Sequence, residues 1–293
     1  VGGSSVDTIT TGGGNDSITG AAGADVIVAG AGDDTLTYLV TLDLFATQAS
    51  VDTTVTGGAG TDVLRVGTNA TAFAIAANDV WTGITTVEEI TAVANSAAVS
   101  ITLDSTAQAA GINKVDSSLA AKSTGNVINV DEITTTAMTL IGSATGITTI
   151  TGGDATDTIT GGSAADVFVM STGNDVVAGG IGNDDFNTTI VLLKANSGTT
   201  ATFDGGAGVN TLTVNTNGTG VVDADFRGFS LVQTLIVDAG GNTMVTGDIA
   251  KAAGIVTVTG GSGADAITLH DGITTFTTGS AGADVLTIDT DYD

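Results

Sequence analysis

Aspartate recurs every nine residues near the start of the chain, at Asp7, Asp16, Asp25 and Asp34, within four consecutive units: GGSSVDTIT, TGGGNDSIT, GAAGADVIV and AGAGDDTLT. A second tandem block, GGDATDTIT, GGSAADVFV, MSTGNDVVA and GGIGNDDFN, keeps the same spacing at Asp157, Asp166, Asp175 and Asp184. Single units place Asp62, Asp265 and Asp284 in GGAGTDVLR, GGSGADAIT and GSAGADVLT, and GGAGVNTLT carries Asn210 at the same position. Short-armed carboxylates beside glycine-rich turns offer oxygen ligands to a hard cation. Calcium takes six to eight such oxygens, so one turn cannot satisfy it and stacked turns must share the ion.

Each unit reads as a six-residue turn followed by a three-residue strand. Glycine lets the turn take positive φ and crowd its neighbour. The eighth residue (Ile9, Ile18, Ile27, Leu36, Ile159, Phe168) is flanked by residues that point the other way, as a strand requires, so it faces a thin core. Alternate Asp residues lie eighteen apart, which repeats the geometry every second unit.

These units resemble the RTX nonapeptide GGxGxDxUx, a calcium-binding repeat. In proteins of that kind two nonapeptides make one turn of a parallel β-roll, and calcium sits between successive loops on one edge. The resemblance implies an all-β solenoid, a β-roll or β-helix, with Asp7 sharing an ion with Asp25, Asp16 with Asp34, Asp157 with Asp175, and Asp166 with Asp184. It implies several Ca2+ ions held by Asp7, Asp16, Asp25, Asp34, Asp62, Asp157, Asp166, Asp175, Asp184, Asp265 and Asp284. Backbone carbonyls of Gly12, Gly14, Gly23, Gly30, Gly32, Gly152, Gly161, Gly173, Gly180, Gly182, Gly263 and Gly282 would complete the shells. Ser5, Ala155 and Ala164 replace the fourth-place glycine and Asn210 the sixth-place Asp, so weaker sites or none are expected there.

The elements around the units repeat as well. Trp81–Ile90 (WTGITTVEEI) aligns without gaps with Phe226–Leu235 (FRGFSLVQTL), and AQAAGI at 107–112 aligns with AKAAGI at 250–255. The expected organisation is therefore two solenoid halves, residues 1–150 and 151–293. Trp81, Ile84, Val87 and Ile90, like Phe226, Phe229, Val232 and Leu235, recur every three residues, which predicts a 3₁₀-like coil leading into a strand. SITLDS, NVINVDEI, TLIVDA and IVTVTG read as further parallel turns. Residues 38–56 and 188–204 interrupt the roll at equivalent places. In the former a side hairpin or short helix is expected, with Leu42, Leu44 and Phe45 as core or contact surface.

Composition narrows the function. The 293 residues contain 43 Gly, no Pro and no Cys, and carry a net charge of −26. Disulfides and thiolate metal sites are excluded. The six basic residues are scattered, so nucleic acid is not an expected partner. No apolar run reaches membrane-spanning length. No amino-terminal signal is recognised, and a start at Val1 fits a fragment or processed product. Catalytic motifs are not found, and the lone histidine, His270, is expected in a solvent-facing loop. Glu88 and Glu89 are expected to point apart. No enzyme is predicted.

The composition and segments such as GGAGTDVLRV and WTGITTVEEITAV resemble RTX-containing S-layer proteins of Gram-negative bacteria. That resemblance implies type I secretion, an extracellular cell-surface location, calcium-driven folding, and lateral self-assembly into a lattice of identical copies that cell-surface polysaccharide could anchor. Alternatives are the β-roll region of a larger secreted enzyme or toxin, and an adhesin.

Overall fold

The computed structural model describes residues 1–39, 44, 52, 54–77, 79, 81–120, 125–215, 219–237, 240–277, 279 and 282–289. Two compact units result, Val1–Asp154 and Ala155–Asp293. Every strand pairing among the described residues within them is parallel. In the first unit, one run of neighbouring strands is Thr8–Gly13, Val26–Ala31, Thr54–Ala59 and Ile84–Thr85. A second run is Ser17–Ile18, Thr35–Tyr38, Val63–Val66, Glu89–Ala92, Lys114–Asp116 and Thr139–Ile141. A third is Phe73–Ile75, Val99–Thr102, Asn126–Asn129 and Thr148–Thr151.

The second unit repeats this plan strand for strand. Its runs are Thr158–Gly162, Val176–Gly180, Thr202–Asp204 and Phe229–Ser230; then Val167–Val169, Asp185–Thr188, Thr211–Val214, Thr234–Val237, Thr257–Thr259 and Thr275–Thr277; then Thr219–Val221, Thr243–Val245, Ala266–Leu269 and Val285–Ile288. Short helices occupy matching places. Ser105–Ala110 and Asp248–Ala253 contain most of AQAAGI and AKAAGI, and both end on a left-handed glycine, Gly111 at φ 115° and Gly254 at φ 100°. Asp104 caps the former helix by accepting from the N–H groups of Thr106 and Ala107. The interruption at 188–204 contains helix Ile190–Ser197, capped by Thr189. In the matching interruption of the first unit Leu44 is buried, while Leu42 and Phe45 lie outside the described residues.

Register follows the nine-residue beat. Thr8 pairs with Val26 and Thr158 with Val176, a shift of eighteen residues, whereas Val26 pairs with Thr54 because the interruption lengthens that turn. Several strands run past the three residues expected: Thr8–Gly13, Val26–Ala31 and Thr54–Ala59 continue through the glycine pair, since glycine without a side chain can extend the ladder into the turn.

The core is thin and built from single inward residues. Ile18, Leu36, Val55 and Ile84 line the first roll, and their counterparts in the second are Phe168, Phe186, Phe203 and Phe229. Those rings stack and cross: Phe168–Phe186 centroids are 5.1 Å apart and Phe203–Phe229 4.9 Å, with Phe186 edge-on to Phe203 and Phe229. Aromatic pairs add about 0.5–1.5 kcal/mol beyond area burial. The 3₁₀-like coil expected from the three-residue period is found only in part. The Ile84 N–H donates to the Trp81 carbonyl at 2.9 Å, a single 3₁₀-type turn, while in the second unit the 3₁₀ turn Asp223–Phe226 ends where the segment begins; the segments themselves run on as short strands, Ile84–Thr85 with Glu89–Ala92 and Phe229–Ser230 with Thr234–Val237.

Candidate metal sites

The sixth-place aspartates form ladders along the edges of the rolls. In each pair the carboxylate Oδ1 accepts the backbone N–H of the equivalent Asp one turn earlier: Asp7 to Asp25 at 2.8 Å, Asp16 to Asp34 at 2.8 Å, Asp157 to Asp175 at 2.9 Å and Asp166 to Asp184 at 2.8 Å. These are the four pairs with eighteen-residue spacing. Single units extend the ladders, with Asp34 N–H donating to Asp62 at 2.9 Å and Asp265 N–H to Asp284 at 3.0 Å. A charged acceptor on an otherwise orphaned turn N–H strengthens the turn.

Only one oxygen of each carboxylate is used this way. Oδ2 of Asp34, Asp62, Asp184 and Asp265 is buried with no hydrogen-bond donor. Peptide oxygens lie beside these positions. A Cβ built on Gly179 would sit 2.5 Å from Asp184 Oδ2 and 2.6 Å from the Gly205 carbonyl oxygen, whereas Asp166 Oδ2 accepts the Gly162 N–H at 2.7 Å. Oxygens that face oxygens in a buried turn repel unless a cation lies between them, because a buried ion without a partner costs several kcal/mol. Among the described residues no three His, Cys, Asp or Glu side chains cluster to hold a metal. Backbone carbonyls must therefore supply much of the shell, which suits a hard ion. Burial pushes the Asp175 carboxyl up to about 6 and also raises Asp184. Burial, with repulsion from Asp34, Glu88 and Asp33, raises Asp62, against the backbone hydrogen bond from Asp34. Carboxylates so placed call for a proton or a cation.

A family profile for the RTX calcium-binding nonapeptide repeat, in 4 copies, matches residues 1–36, 144–170 and 171–188. This chain carries RTX calcium-binding repeats. Its repeats bind several Ca2+ ions, and the second carboxylate oxygens and glycine-rich turns have the chemistry to receive them. No curated protein and no solved structure matches the chain.

The RTX turns crowd as their glycines allow. A Cβ on Gly30, Gly32, Gly58 or Gly60 would come within 2.0, 2.5, 1.8 or 2.3 Å of the carbonyl oxygen of Gly12, Gly14, Gly30 or Gly32 respectively. Gly180, Gly182 and Gly263 present their oxygens to Gly206, Gly208 and Gly282 in the same way. At Gly23 and Gly173 the facing oxygens belong to Ser5 and Ala155, so loss of the fourth-place glycine leaves the carbonyl in position. Gly152 and Gly161 are buried. Asp7, Asp16 and Asp284 are half-buried, while the other predicted aspartates are closed from solvent.

Besides Asn210, whose Oδ1 accepts the Asp184 N–H at 2.9 Å, three further ladder members were not among the predicted ligands. Asp52 Oδ1 accepts the Asp25 N–H at 2.9 Å, and its Oδ2 accepts from the Tyr38 hydroxyl. The signal was present, since SVDTTVTGG at 50–58 resembles SVDTITTGG at 5–13. Glu88 Oε2 accepts the Asp62 N–H at 2.8 Å, and Gln233 Oε1 accepts the Asn210 N–H at 2.7 Å. Glu89 points away as expected, to Lys114 at 2.9 Å. His270 corrects an expectation: it is 1% exposed, because its Nδ1 accepts the Gly272 N–H and its own N–H donates to Thr246 Oγ1, which folds the ring inward.

Proposed function

We propose that this protein is a calcium-dependent structural component of a secreted bacterial surface layer or related extracellular assembly, in which calcium drives folding and lattice formation. The observation that carries this reading is the buried carboxylate ladder, whose acidic members are committed to joining one turn to the next. Proteins bearing RTX repeats are typically secreted, and no described helix is long and apolar enough to cross a membrane. Without calcium the carboxylates repel and the turns open; with it the chain closes, so binding energy becomes folding energy. Lateral contact would use apolar residues left outside on the loops and helix, such as Ile181, Val191 and Val209, at 61%, 72% and 58% exposure. Lys114, Lys194 and Lys251 are tied to acidic neighbours.

Electron microscopy of purified protein in millimolar calcium and in chelator tests the assembly. Ordered sheets or tubes that appear only with calcium are expected. Persistent monomers in calcium would count against a lattice role and favour the β-roll region of a secreted enzyme, toxin or adhesin.

A further inference from the structure

The duplicated units close the same turn with different chemistry. In the first, Asp62 Oδ2 is buried without a donor, and a Cβ on Gly57 would lie 2.5 Å from it and 2.0 Å from the Thr86 carbonyl oxygen. In the second, the aligned residues are Asn210, Gly205 and Leu231. A Cβ on Gly205 would lie 2.5 Å from Asn210 Nδ2 and 2.3 Å from the Leu231 carbonyl oxygen. There the two groups attract, and Nδ2 donates to the Leu231 oxygen at 2.9 Å. The amide cannot be turned over, since Oδ1 must accept the Asp184 N–H at 2.9 Å.

The backbone holds both turns in the same form. Thr86 at φ 52° and Leu231 at φ 53° are non-glycine residues in the left-handed region, a conformation that costs about 1–3 kcal/mol and persists only when its surroundings hold it. The Leu231 carbonyl accepts from the sixth-place side chain of the preceding turn, and the Thr86 carbonyl lies against Gly57, as Asp62 Oδ2 does. The next rung differs in the same sense, with Glu88 in the first unit and Gln233 in the second. Neither Thr86–Glu88 nor Leu231–Gln233 belongs to a nonapeptide.

We propose that Asp62, the Thr86 carbonyl and Glu88 form a calcium site that closes the first roll onto a segment outside the repeats, and that Asn210 and Gln233 convert the matching site into a metal-free clasp. The Asn210 amide group stands where the ion would be, donating to the carbonyl that the ion would otherwise bind. Asn126 supplies a comparable amide elsewhere in the first unit: its Oδ1 accepts the Val99 N–H and its Nδ2 donates to the Ile147 oxygen. The proposal rests on the reading of the repeats as calcium-binding and adds to it a hybrid site and a rule for recognising turns that need no ion.

The test is calcium stoichiometry of the intact chain, by calorimetric titration with calcium chloride. The double variant Asp62→Asn/Glu88→Gln should bind one ion fewer than wild type, and Asn210→Asp/Gln233→Glu one ion more. Should the latter fail to fold, the former decides, since its amides can reproduce the bonds already seen at Asn210 and Gln233. A wild-type chain that binds several ions alongside an Asp62→Asn/Glu88→Gln chain with the same number would overturn this proposal alone. A wild-type chain that takes up no calcium would overturn the reading of the repeats and this proposal together.

Discussion

The backbone N–H of Asp166 donates to Oδ1 of Asp184, eighteen residues later, at 2.8 Å, while Asp184 Oδ2 stays buried without a donor. One carboxylate therefore performs two tasks, joining adjacent turns and presenting negative charge to the space between them. Asp184→Asn keeps the first task and removes the second. It should melt higher than wild type in chelator, by an amount on the order of 1 kcal/mol, the worth of a hydrogen bond gained by the new amide. It should also show a smaller rise in melting temperature on adding calcium. Asp184→Ala removes both and should lose about 1–3 kcal/mol in either condition through the orphaned Asp166 N–H. Differential scanning calorimetry with and without calcium checks all three chains.

Glycines of the RTX turns separate by what surrounds them. Gly12 and Gly58 both have φ of 122°, but a Cβ on Gly12 meets nothing within 4 Å, whereas one on Gly58 would sit 1.8 Å from the Gly30 oxygen. Gly12→Ala should cost about 1–3 kcal/mol from backbone conformation alone. Gly58→Ala should cost clearly more, because two backbones must part. Denaturant melts of the two variants in saturating calcium give the comparison.

How much of this was legible in the sequence depends on the physical range of each signal. The Asp ladder was legible because cation chemistry, turn glycine and strand alternation all obey one nine-residue period. Trp81 and Phe226, like AQAAGI and AKAAGI, fall at equivalent places in the order of the described strands of the two units. Asp52 was missed because an interruption displaces it from the period, and Glu88 and Gln233 because they follow a turn that has no glycine. His270 was misread because nothing local marks it as buried; Thr246, more than twenty residues earlier, and Gly272 hold it inside.

The aromatic core of the second roll predicts a large cavity penalty. Phe186 touches three other phenylalanine rings and is fully buried. Phe186→Ala should lose about 3–5 kcal/mol and Leu36→Ala, its counterpart in the first roll, about 2–5 kcal/mol. Phe186→Leu should recover most of the loss. Calorimetric melts at fixed calcium measure these differences.

Acidification below the ordinary histidine range should destabilise the second unit through His270. Burial lowers its pKa, against the pull of Asp271, Asp223 and Asp248 and assisted by Lys251. Its Nδ1 is an acceptor, and Nε2 is buried without a partner, so the folded state favours the neutral ring. The unfolded chain takes up a proton near pH 6.5. Below that value the unfolded state holds more protons than the folded one, so this contribution to stability falls as pH drops and is constant above it. Between pH 7.5 and 5.5 in saturating calcium, wild type should lose more melting temperature than His270→Gln; equal losses would show that the ring plays no part.

The central claim is that calcium held by the carboxylate ladders closes the rolls. Circular dichroism of the intact chain during chelation and re-addition of calcium tests it most directly. The account predicts loss of β-sheet signal in chelator and its recovery when calcium returns. A spectrum and melting temperature unchanged by chelator at neutral pH would contradict it.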